Sequence, residues 1–409
     1  MDGTSHGTEN KTYQRTHPWI SFTLDLSRVD YRVWMDLGAV QSKIEHVANT
    51  LLPPSVASNL RTLYLAKGVH GTTAIEGNSL SEDQVRDRIA NKTPLPQSKD
   101  YLGTEIDNIV GACNGIFQRV FGESEGELTP GRIKAFNEMV LRGLPSAEHV
   151  VPGEVRRCSV GVGQYKAPPW EECEYLLQRL CTFLNKDLQQ PATEMPIGFA
   201  VLQAIIAHLY IAWIHPFGDG NGRTARLVEF QILLAGGVPD IAAHLLSNFY
   251  NQTREMYYRE LSLATKPGGN VVGFLRYAIQ GLRDQLDEQI RYIRQFQWDV
   301  VWRDLVYQRF REQSGDAAHR RRRVALELAH ACSVEVNKLR RLTPEIAELY
   351  AGKTNKTLVR DLNELEKMGL ILREGKKVQA NGAILAQFLA IRRRAVDPDP
   401  EPAGQNGAP

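Results

Sequence analysis

Twelve residues near the middle of the chain combine the side chains that phosphate chemistry needs. The stretch HPFGDGNGRTAR, residues 215–226, holds a histidine, an aspartate, three glycines, an asparagine and two arginines. The run Thr224 to Ala235 has apolar residues at helical spacing, so the glycines and the asparagine are expected at a helix N-terminus. The unpaired N–H groups and the positive dipole end of a helix bind anions. The stretch therefore predicts an anion site where a loop enters a helix.

The glycines and arginines of this stretch suit a ligand with several phosphates. Gly218, Gly220 and Gly222 allow positive φ angles and leave room for a ligand against bare backbone. Arg223 and Arg226 stand three positions apart on the first helical turn, so they can hold adjacent phosphates by forked hydrogen bonds. Together these residues predict a bound polyphosphate.

The remaining polar side chains supply a metal ligand and a base. Asp219 offers a hard oxygen suited to Mg²⁺, which prefers one or two carboxylates together with phosphate oxygens. His215 follows an apolar helix expected over residues 196–214, and a pKa near neutrality would let it take a proton from an attacking alcohol. The alternative is a hydrogen-bonded core histidine beside a glycine-rich turn. The convergence of four chemistries on one junction favours a phosphotransfer site.

The stretch matches the pattern HxFx(D/E)GNGRxxR of the Fic family at every specified position, and the chain resembles that family. The resemblance implies a mainly α fold with a helical Fic core, and adenylylation: AMP moves from ATP to a Tyr, Thr or Ser hydroxyl of a protein. Doc-like kinases, which transfer the γ-phosphate, resemble HxFx(D/E)ANKR instead. Gly220 and Gly222 therefore favour AMP transfer, with de-adenylylation or another nucleotide-dependent transfer as the alternative.

The resemblance also implies roles for single residues. His215 is the implied general base and Asp219 the implied Mg²⁺ ligand, with ATP as co-substrate. The implied nucleotide-binding residues of the motif are Gly220, Asn221, Gly222, Arg223, Thr224, Ala225 and Arg226. In NQTREMYYRELSLA, Tyr257 and Tyr258 resemble a tyrosine-containing segment that lies by the nucleotide base, although an aromatic pair on a helix often only packs.

A second segment, GTTAIEGNSL, resembles the family's inhibitory pattern (S/T)xxxE(G/N) through Thr72, Glu76, Gly77 and Asn78. A glutamate that reaches Arg226 would occupy the guanidinium meant for the γ-phosphate and repel the nucleotide. We therefore expect self-inhibition by Glu76. Two alternatives remain: a solvated carboxylate at a helix end, or a glutamate that directs a water to remove AMP.

The segment Pro152 to Pro169 alternates apolar residues with glycine-rich turns, which is typical of a β-hairpin. It stands where the family has its flap, a hairpin that pairs with an extended segment of the target protein. The expected pairing edge is Val160, Gly161, Val162 and Gly163. An ordinary surface hairpin would have the same sequence features.

The C-terminal part reads as a winged helix-turn-helix. We expect caps at Thr343 and Thr354, a turn at Gly352, and two strands within residues 369–382. Lys356 and Arg360 are the DNA-contact candidates on the outward side of the second helix, beside Asn355 and Asn363. Asp316 to Arg394 contain 17 Lys and Arg against 9 Asp and Glu, a charge of +8. A protein contact or a dimer surface is the alternative.

These patterns predict five regions. They are a disordered N-terminus (1–16), an N-terminal domain with the inhibitory helix (17–100), the Fic catalytic core (101–310), the winged helix (320–396) and a disordered tail (397–409). The boundary before the winged helix is expected near residues 311–323, where Ser-Gly-Asp precedes four arginines.

The bulk properties fit a cytoplasmic protein. The first residues have no apolar segment of a signal peptide, and no later run is expected to reach the roughly 18 apolar residues of a membrane span. Five scattered cysteines form no CxxC pair and predict reduced thiols. The expected partners are ATP, a protein target that is either another protein or the chain itself, and a second copy in a homodimer. A rival from another class is a DNA-binding regulator whose Fic site senses nucleotide or modifies itself.

Overall fold

The computed structural model describes residues 11–25, 29–91, 94–122, 127–188, 194–265, 271–331 and 333–386. The chain divides into two compact units, Met1–Arg291 and Tyr292–Pro409. Helices dominate both units, so the expected mainly α class is confirmed.

The N-terminal unit is built from helices and one small hairpin. Its helices are α1 (Thr12–Thr16), α2 (Tyr31–Ala48), α3 (Pro54–Ile75), α4 (Glu82–Asn91), α5 (Asp100–Gly122), α6 (Pro130–Leu141), α7 (Cys173–Thr182), α8 (Pro196–Ile214), α9 (Asn221–Ala235), α10 (Asp240–Ala243), α11 (Leu245–Gln252) and α12 (Arg254–Ala264). Short 3₁₀ turns cover Gln97–Lys99 and Trp170–Glu172, and a π-helical turn covers Phe183–Asp187. Strands β1 (Gly161–Val162) and β2 (Tyr165–Lys166) form the antiparallel hairpin expected within Pro152 to Pro169.

Helix α8 forms the centre of this unit. It is apolar on all sides, and its long contact with α9 places the loop between them against the core. Contrary to the expectation from the sequence, its length and mean hydropathy of 1.9 pass the criteria for a membrane span. However, 78% of its most apolar 18-residue stretch is buried inside the protein, as in the core helix of a globular unit. Packing therefore accounts for its apolar surface.

The N-terminal segment is ordered earlier than expected. Disorder was predicted through Thr16, but α1 covers Thr12–Thr16 and Tyr13 is buried. The backbone N–H groups of Thr12 and Tyr13 donate to the Glu172 carboxylate at 2.7 and 2.8 Å. A carboxylate distant in sequence thus caps the helix, which local composition does not reveal. The first ten residues and the tail 397–409 lie outside the described residues.

The C-terminal unit packs helices on a three-stranded sheet. Its elements are the end of α13 (Val271–Arg309), α14 (Asp316–Leu328), β3 (Val334–Glu335), a 3₁₀ turn (Leu339–Arg341), α15 (Pro344–Leu349), α16 (Asn355–Lys367), β4 (Ile371–Glu374), β5 (Lys377–Ala380) and α17 (Ala383–Ala386). The antiparallel sheet has the order β3-β5-β4, with Val334 opposite Val378 and Ile371 opposite Ala380.

Most expected details of this unit are present. The Thr343 hydroxyl accepts from the Ile346 N–H at 3.3 Å, and Gly352 turns with φ 69°. Thr354 stands at the N-cap of α16 as predicted, but its side chain makes no capping hydrogen bond. Leu358 and Leu362 are buried on the inner face.

The boundary between units falls earlier than residues 311–323. It lies inside the continuous helix α13, because Trp302, Val306 and Phe310 are buried in the core of the C-terminal unit. Helix α3, from the predicted N-terminal domain (17–100), packs against α9 and α11 within one compact unit, and the division at residue 100 stays a prediction.

Candidate active site

The motif residues surround the junction of α8 and α9. His215 caps α8 in a left-handed conformation with φ 47° and ψ 57°, which is rare for a residue with a side chain. Its N–H still donates to Ile211 O at 2.9 Å. This turn carries the imidazole out of the apolar helix and into a cavity.

Asn221 shapes the loop from inside. Its side-chain Nδ2 donates to Phe217 O and its Oδ1 accepts from Phe217 N, both at 2.9 Å. Its amide is therefore engaged with the backbone, which differs from the expected phosphate contact for this side chain. Phe217 itself is buried, as expected for an anchor.

The three glycines serve different purposes. Only Gly220 has a positive φ, 76°, because it is the N-cap of α9. Gly218 and Gly222 lack the expected positive φ and instead permit close approach. A Cβ on Gly218 would lie 3.0 Å from the Val150 side chain, and one on Gly222 would overlap Oε1 of Glu76. The Glu76 carboxylate thus lies directly over the start of α9.

The buried His215 imidazole is neutral. Burial, followed by the positive charge of Arg156, lowers its pKa to about 4, rather than the near-neutral value expected from the sequence. Its Nδ1 lies 3.4 Å from Ala212 O. A carbonyl oxygen only accepts, so Nδ1 carries the proton and Nε2 keeps its lone pair.

Arg156, which the sequence does not single out, joins the hairpin segment to the loop between α8 and α9. Its guanidinium donates to three carbonyls: His215 O at 2.8 Å, Cys158 O at 2.8 Å and Pro168 O at 2.6 Å. Its own N–H donates to Pro216 O at 2.9 Å. A buried arginine is not visible in composition, and the neighbouring Arg157 is exposed, so no local signal separates the two.

Arg226 is paired with the expected inhibitory glutamate. Its Nη2 lies 2.5 Å from Oε1 of Glu76 and 3.0 Å from Thr72 O. The pKa of Glu76 is lowered: burial opposes its charge, but the charge and hydrogen bond of Arg226 outweigh burial. The pKa of Arg226 is raised: burial opposes its charge, but the charge and hydrogen bond of Glu76, together with the nearby Tyr257 and Tyr258, outweigh burial. Gly77 follows with φ 103°, a conformation that favours glycine.

Arg223 is held by a second carboxylate that was missed from the sequence. Its Nη1 donates to Oε1 of Glu105 at 2.6 Å, and its Nη2 lies 3.3 Å from Oδ1 of Asp219. The other oxygen of Glu105 accepts from Asn78 at 2.8 Å. Both motif arginines are therefore connected to the chain segment that contains Glu76.

Thr224 and Ala225 are fully buried and do not line the cavity. The Thr224 N–H donates to Gly220 O at 2.9 Å, so it belongs to the helix. The assignment of these two residues as nucleotide-binding therefore stays a prediction.

The two tyrosines have different surroundings, and their role beside a nucleotide base stays a prediction. Tyr257 is buried and its hydroxyl lies 2.9 Å from Nε2 of His208, whereas Tyr258 is 41% exposed. The Tyr258 hydroxyl donates to Ile75 O at 3.3 Å. Both rings line the cavity.

A cavity of about 1220 Å³ brings these groups together. Its lining includes His215, Glu76, Gly222, Arg226, both tyrosines, and Val162 and Gly163 of the hairpin. This volume is ample for a nucleotide beside an entering peptide side chain.

The hairpin covers one side of this cavity. The Tyr165 hydroxyl donates to Trp213 O at 2.6 Å, and Nε2 of His17 donates to Lys166 O at 2.8 Å. A side chain from the N-terminal segment therefore occupies the outer edge of β2. Val162, on β1, is 50% exposed.

Comparison with known proteins agrees with this geometry. Residues 127–233 match the sequence model described as Fic/DOC family. The matched segment contains the motif at residues 215–226 and the helix that follows it.

Individual relatives share the domain at modest identity. The protein adenylyltransferase fic-1 of Caenorhabditis briggsae is 27% identical over 265 residues, which cover 64% of this chain and 46% of that protein. The chain thus spans about half the length of this curated relative.

Two solved structures have a similar fold. A Fic family protein from Desulfovibrio desulfuricans G20 aligns with a TM-score of 0.53 and 21% identity, covering 85% of this chain and 95% of that one. Fic-1 (residues 134–508) from C. elegans aligns with a TM-score of 0.52 and 25% identity, covering 68% and 76%.

Proposed function

We propose that this chain is a protein adenylyltransferase that moves AMP from ATP to a Tyr, Thr or Ser hydroxyl of a protein. The observation that carries the proposal is the shared cavity in which His215 and Arg226 flank the N-terminus of α9. The relative from C. briggsae, named a protein adenylyltransferase, supports it.

His215 would act as general base. The target hydroxyl oxygen attacks the α-phosphorus of ATP, and its proton passes to the lone pair on Nε2. The new O–P bond forms as the bond to the bridging oxygen breaks, and pyrophosphate leaves with that electron pair. Because burial keeps the imidazole neutral, the base is present in its active form at physiological pH.

The start of α9 would hold the phosphates. Its first three N–H groups precede the first helical hydrogen bond, from Thr224 N to Gly220 O, and such groups attract anions. Arg226 and Arg223 add guanidinium donors from the same turn. Gly222 puts no side chain over this turn, so the space there would be open to a phosphate once the Glu76 carboxylate moves away.

Asp219 would be a magnesium ligand. Its carboxylate is exposed, and the described hydrogen bonds, from Gly220 N and Arg223, both go to Oδ1. Mg²⁺ takes few protein ligands and fills its shell with phosphate oxygens and water. Bound there with ATP, the ion would supply neutralisation of phosphate charge.

Glu76 would restrain the reaction. Its carboxylate lies over Gly222 and on Arg226, where a phosphate would otherwise bind. Charge repulsion and competition for the guanidinium would hold ATP away from a productive pose. In the alternative reaction, the same carboxylate directs a water at an AMP-modified target and removes AMP.

The hairpin would present the target hydroxyl. Val160 O accepts from Ala167 N at 3.1 Å, so by the alternation of an antiparallel pair the backbone groups of Gly161 face away from β2. An extended target segment can add there by main-chain hydrogen bonds. His17 already covers the opposite edge at Lys166.

The position of a radioactive label tests the reaction. With Glu76→Gly protein and cell extract, ATP labelled at the α-phosphate should label protein, while ATP labelled at the γ-phosphate should not. Label from the γ position alone would indicate a kinase. Release of AMP from prelabelled protein by the native protein, which keeps Glu76, with no incorporation by Glu76→Gly protein, would favour de-adenylylation.

A second candidate function, DNA binding, rests on the charges of α16. Lys356, Arg360 and Asn363 are exposed on one face at helical spacing. The acidic residues of this helix are engaged elsewhere: Asp361 is buried against Arg320, and Glu364 and Glu366 pair with Lys367 and Arg373. The exposed face therefore keeps an uncompensated positive charge, which suits a duplex.

Anisotropy of a labelled duplex of about 25 base pairs, titrated at several salt concentrations, tests this function. Lys356→Ala with Arg360→Ala should lower affinity and reduce the salt slope by about two. Lys338→Ala, which removes an exposed lysine paired with Glu335, is the control. Equal binding by both variants, or none by the native protein, would leave a protein-contact role for this face.

A further inference from the structure

The carboxyl end of α3, which carries Glu76, is closed by donors to each of its last four carbonyls. A helix leaves these groups without partners of its own. The bonds are Thr72 O with Arg226 Nη2 (3.0 Å), Thr73 O with Glu76 N (3.0 Å) and Asn78 N (3.1 Å), Ala74 O with Gly77 N (3.0 Å), and Ile75 O with Arg254 Nη2 (2.7 Å) and the Tyr258 hydroxyl (3.3 Å).

The positive charges at this helix end come from other helices. The last turn of α3 contains no basic residue. Arg226 from α9 and Arg254 from α12 each donate to one of its carbonyls, where a cation also interacts favourably with the helix dipole. Arg254 binds the carbonyl of Ile75, the residue directly before Glu76.

The two arginines differ in what competes for them. Arg226 lines the cavity, so phosphates would draw it away from α3. The described residues that line the cavity include Tyr258 but not Arg254. The hold of Arg254 on α3 would therefore persist while nucleotide competes for Arg226.

We propose that Arg254 is a positioning residue for inhibition by Glu76. By binding Ile75 O, it holds the end of α3 in the position that places the Glu76 carboxylate on Arg226. The chain leaves α3 at once, through Glu76 at φ −87° and Gly77 at φ 103°, so little backbone separates the anchor from the carboxylate. The proposal rests on the proposed function, because it assigns part of the regulation of that site.

A double-mutant cycle tests the coupling. Arg254→Ala should raise AMP transfer about five- to tenfold, the scale of one typical intramolecular hydrogen bond. In the Glu76→Gly background the same change should leave AMP transfer unchanged, since the inhibitory carboxylate is already absent. Arg254→Lys, which keeps the charge and one donor, should lie between. Arg259→Ala, an exposed arginine on the same helix, is the control.

A merely structural role for Arg254 would give a different pattern. Its removal would then change transfer by the same factor with and without Glu76. That result, or unchanged transfer in folded Arg254→Ala protein whose Glu76→Gly counterpart is active, would overturn the proposal.

Hydrogen exchange separates this proposal from the proposed function. The N–H groups of Glu76, Gly77 and Asn78 bond to carbonyls of α3, so their exchange reports the end of that helix. Arg254→Ala should speed exchange across residues 72–78 several-fold, with α8 unchanged. Faster exchange without AMP transfer by any variant would contradict the proposed function and leave the anchor standing. Unchanged exchange would refute the anchor itself.

Discussion

The Glu76 carboxylate and the Arg226 guanidinium form an ion pair, Oε1 to Nη2 at 2.5 Å, across 150 residues of sequence. The Arg226 side chain is almost fully buried, while that of Glu76 keeps 30% of its exposure. A buried guanidinium that loses its carboxylate is costly unless another anion replaces it. Under the proposed function, the triphosphate of ATP is such an anion, so the carboxylate and the nucleotide would compete for the Arg226 guanidinium.

Glu76→Gln separates charge from shape. The amide fits the same space and can still accept a hydrogen bond from Arg226, but it loses the attraction between the two opposite charges. We expect about a tenfold rise in initial AMP transfer, smaller than that of Glu76→Gly. Initial rates with α-labelled ATP provide the measurement. Asp83→Asn, which removes the charge of an exposed partner of Arg86, is the control. Equal rates for the native, Glu76→Gln and Asp83→Asn proteins would exclude a charge effect.

His215 should remain neutral well below pH 6.5. Its folded pKa is lowered to about 4, so the active base persists as the pH falls and is lost only near that value. The unfolded chain binds its proton near pH 6.5, so acidification between these values also destabilises the fold. In NMR titration, the His215 ring signal, assigned by its loss in His215→Ala, should stay constant from pH 7.5 to 5.5. A midpoint at 6.5 or above would contradict this account.

Arg156→Lys should slow transfer without changing the charge near His215. A lysine cannot donate to three separate carbonyls in the fixed geometry of the guanidinium, so the hairpin and the His215 turn lose their common anchor. We expect kcat to fall roughly tenfold or more, with a smaller change in KM for ATP, because misplacement affects the reacting geometry most. Arg157→Lys is the matched control, since its side chain is 82% exposed. Equal kinetics for both variants would rule out the anchoring role.

Glu105→Gln should destabilise the protein. The two oxygens of this carboxylate accept hydrogen bonds from Arg223 and from Asn78. In a glutamine one of these oxygens becomes an NH₂ group, which would face the N–H donor of Arg223 or Asn78. Leaving buried polar groups unsatisfied costs about 1–3 kcal/mol, which lowers Tm by several degrees. Thermal unfolding followed by circular dichroism measures this loss. Glu138→Gln, at an exposed position, should unfold as the native protein does.

Much of the site follows from the sequence because it lies in one stretch. The apolar run predicts α8 with its observed bounds, and the change from glycines to periodic residues predicts the start of α9. The paired pattern around Glu76 indicates its contact with Arg226.

The remaining features depend on tertiary contacts that composition does not encode. Arg156 and Glu105 look like ordinary surface charges until burial and distant partners define them. The pKa of His215 departs from neutrality through burial. The division between the two units lies inside α13, because a continuous helix contributes its end to the second core.

Transfer of AMP by matched variants tests the central claim most directly. Purified native, Glu76→Gly and Glu76→Gly/His215→Ala proteins would each be incubated with α-labelled ATP, Mg²⁺ and cell extract, with folding checked by circular dichroism. The account predicts weak labelling by the native protein, strong labelling by Glu76→Gly, and none by the double variant. Equal labelling by all three proteins, or strong labelling that persists without His215, would contradict it.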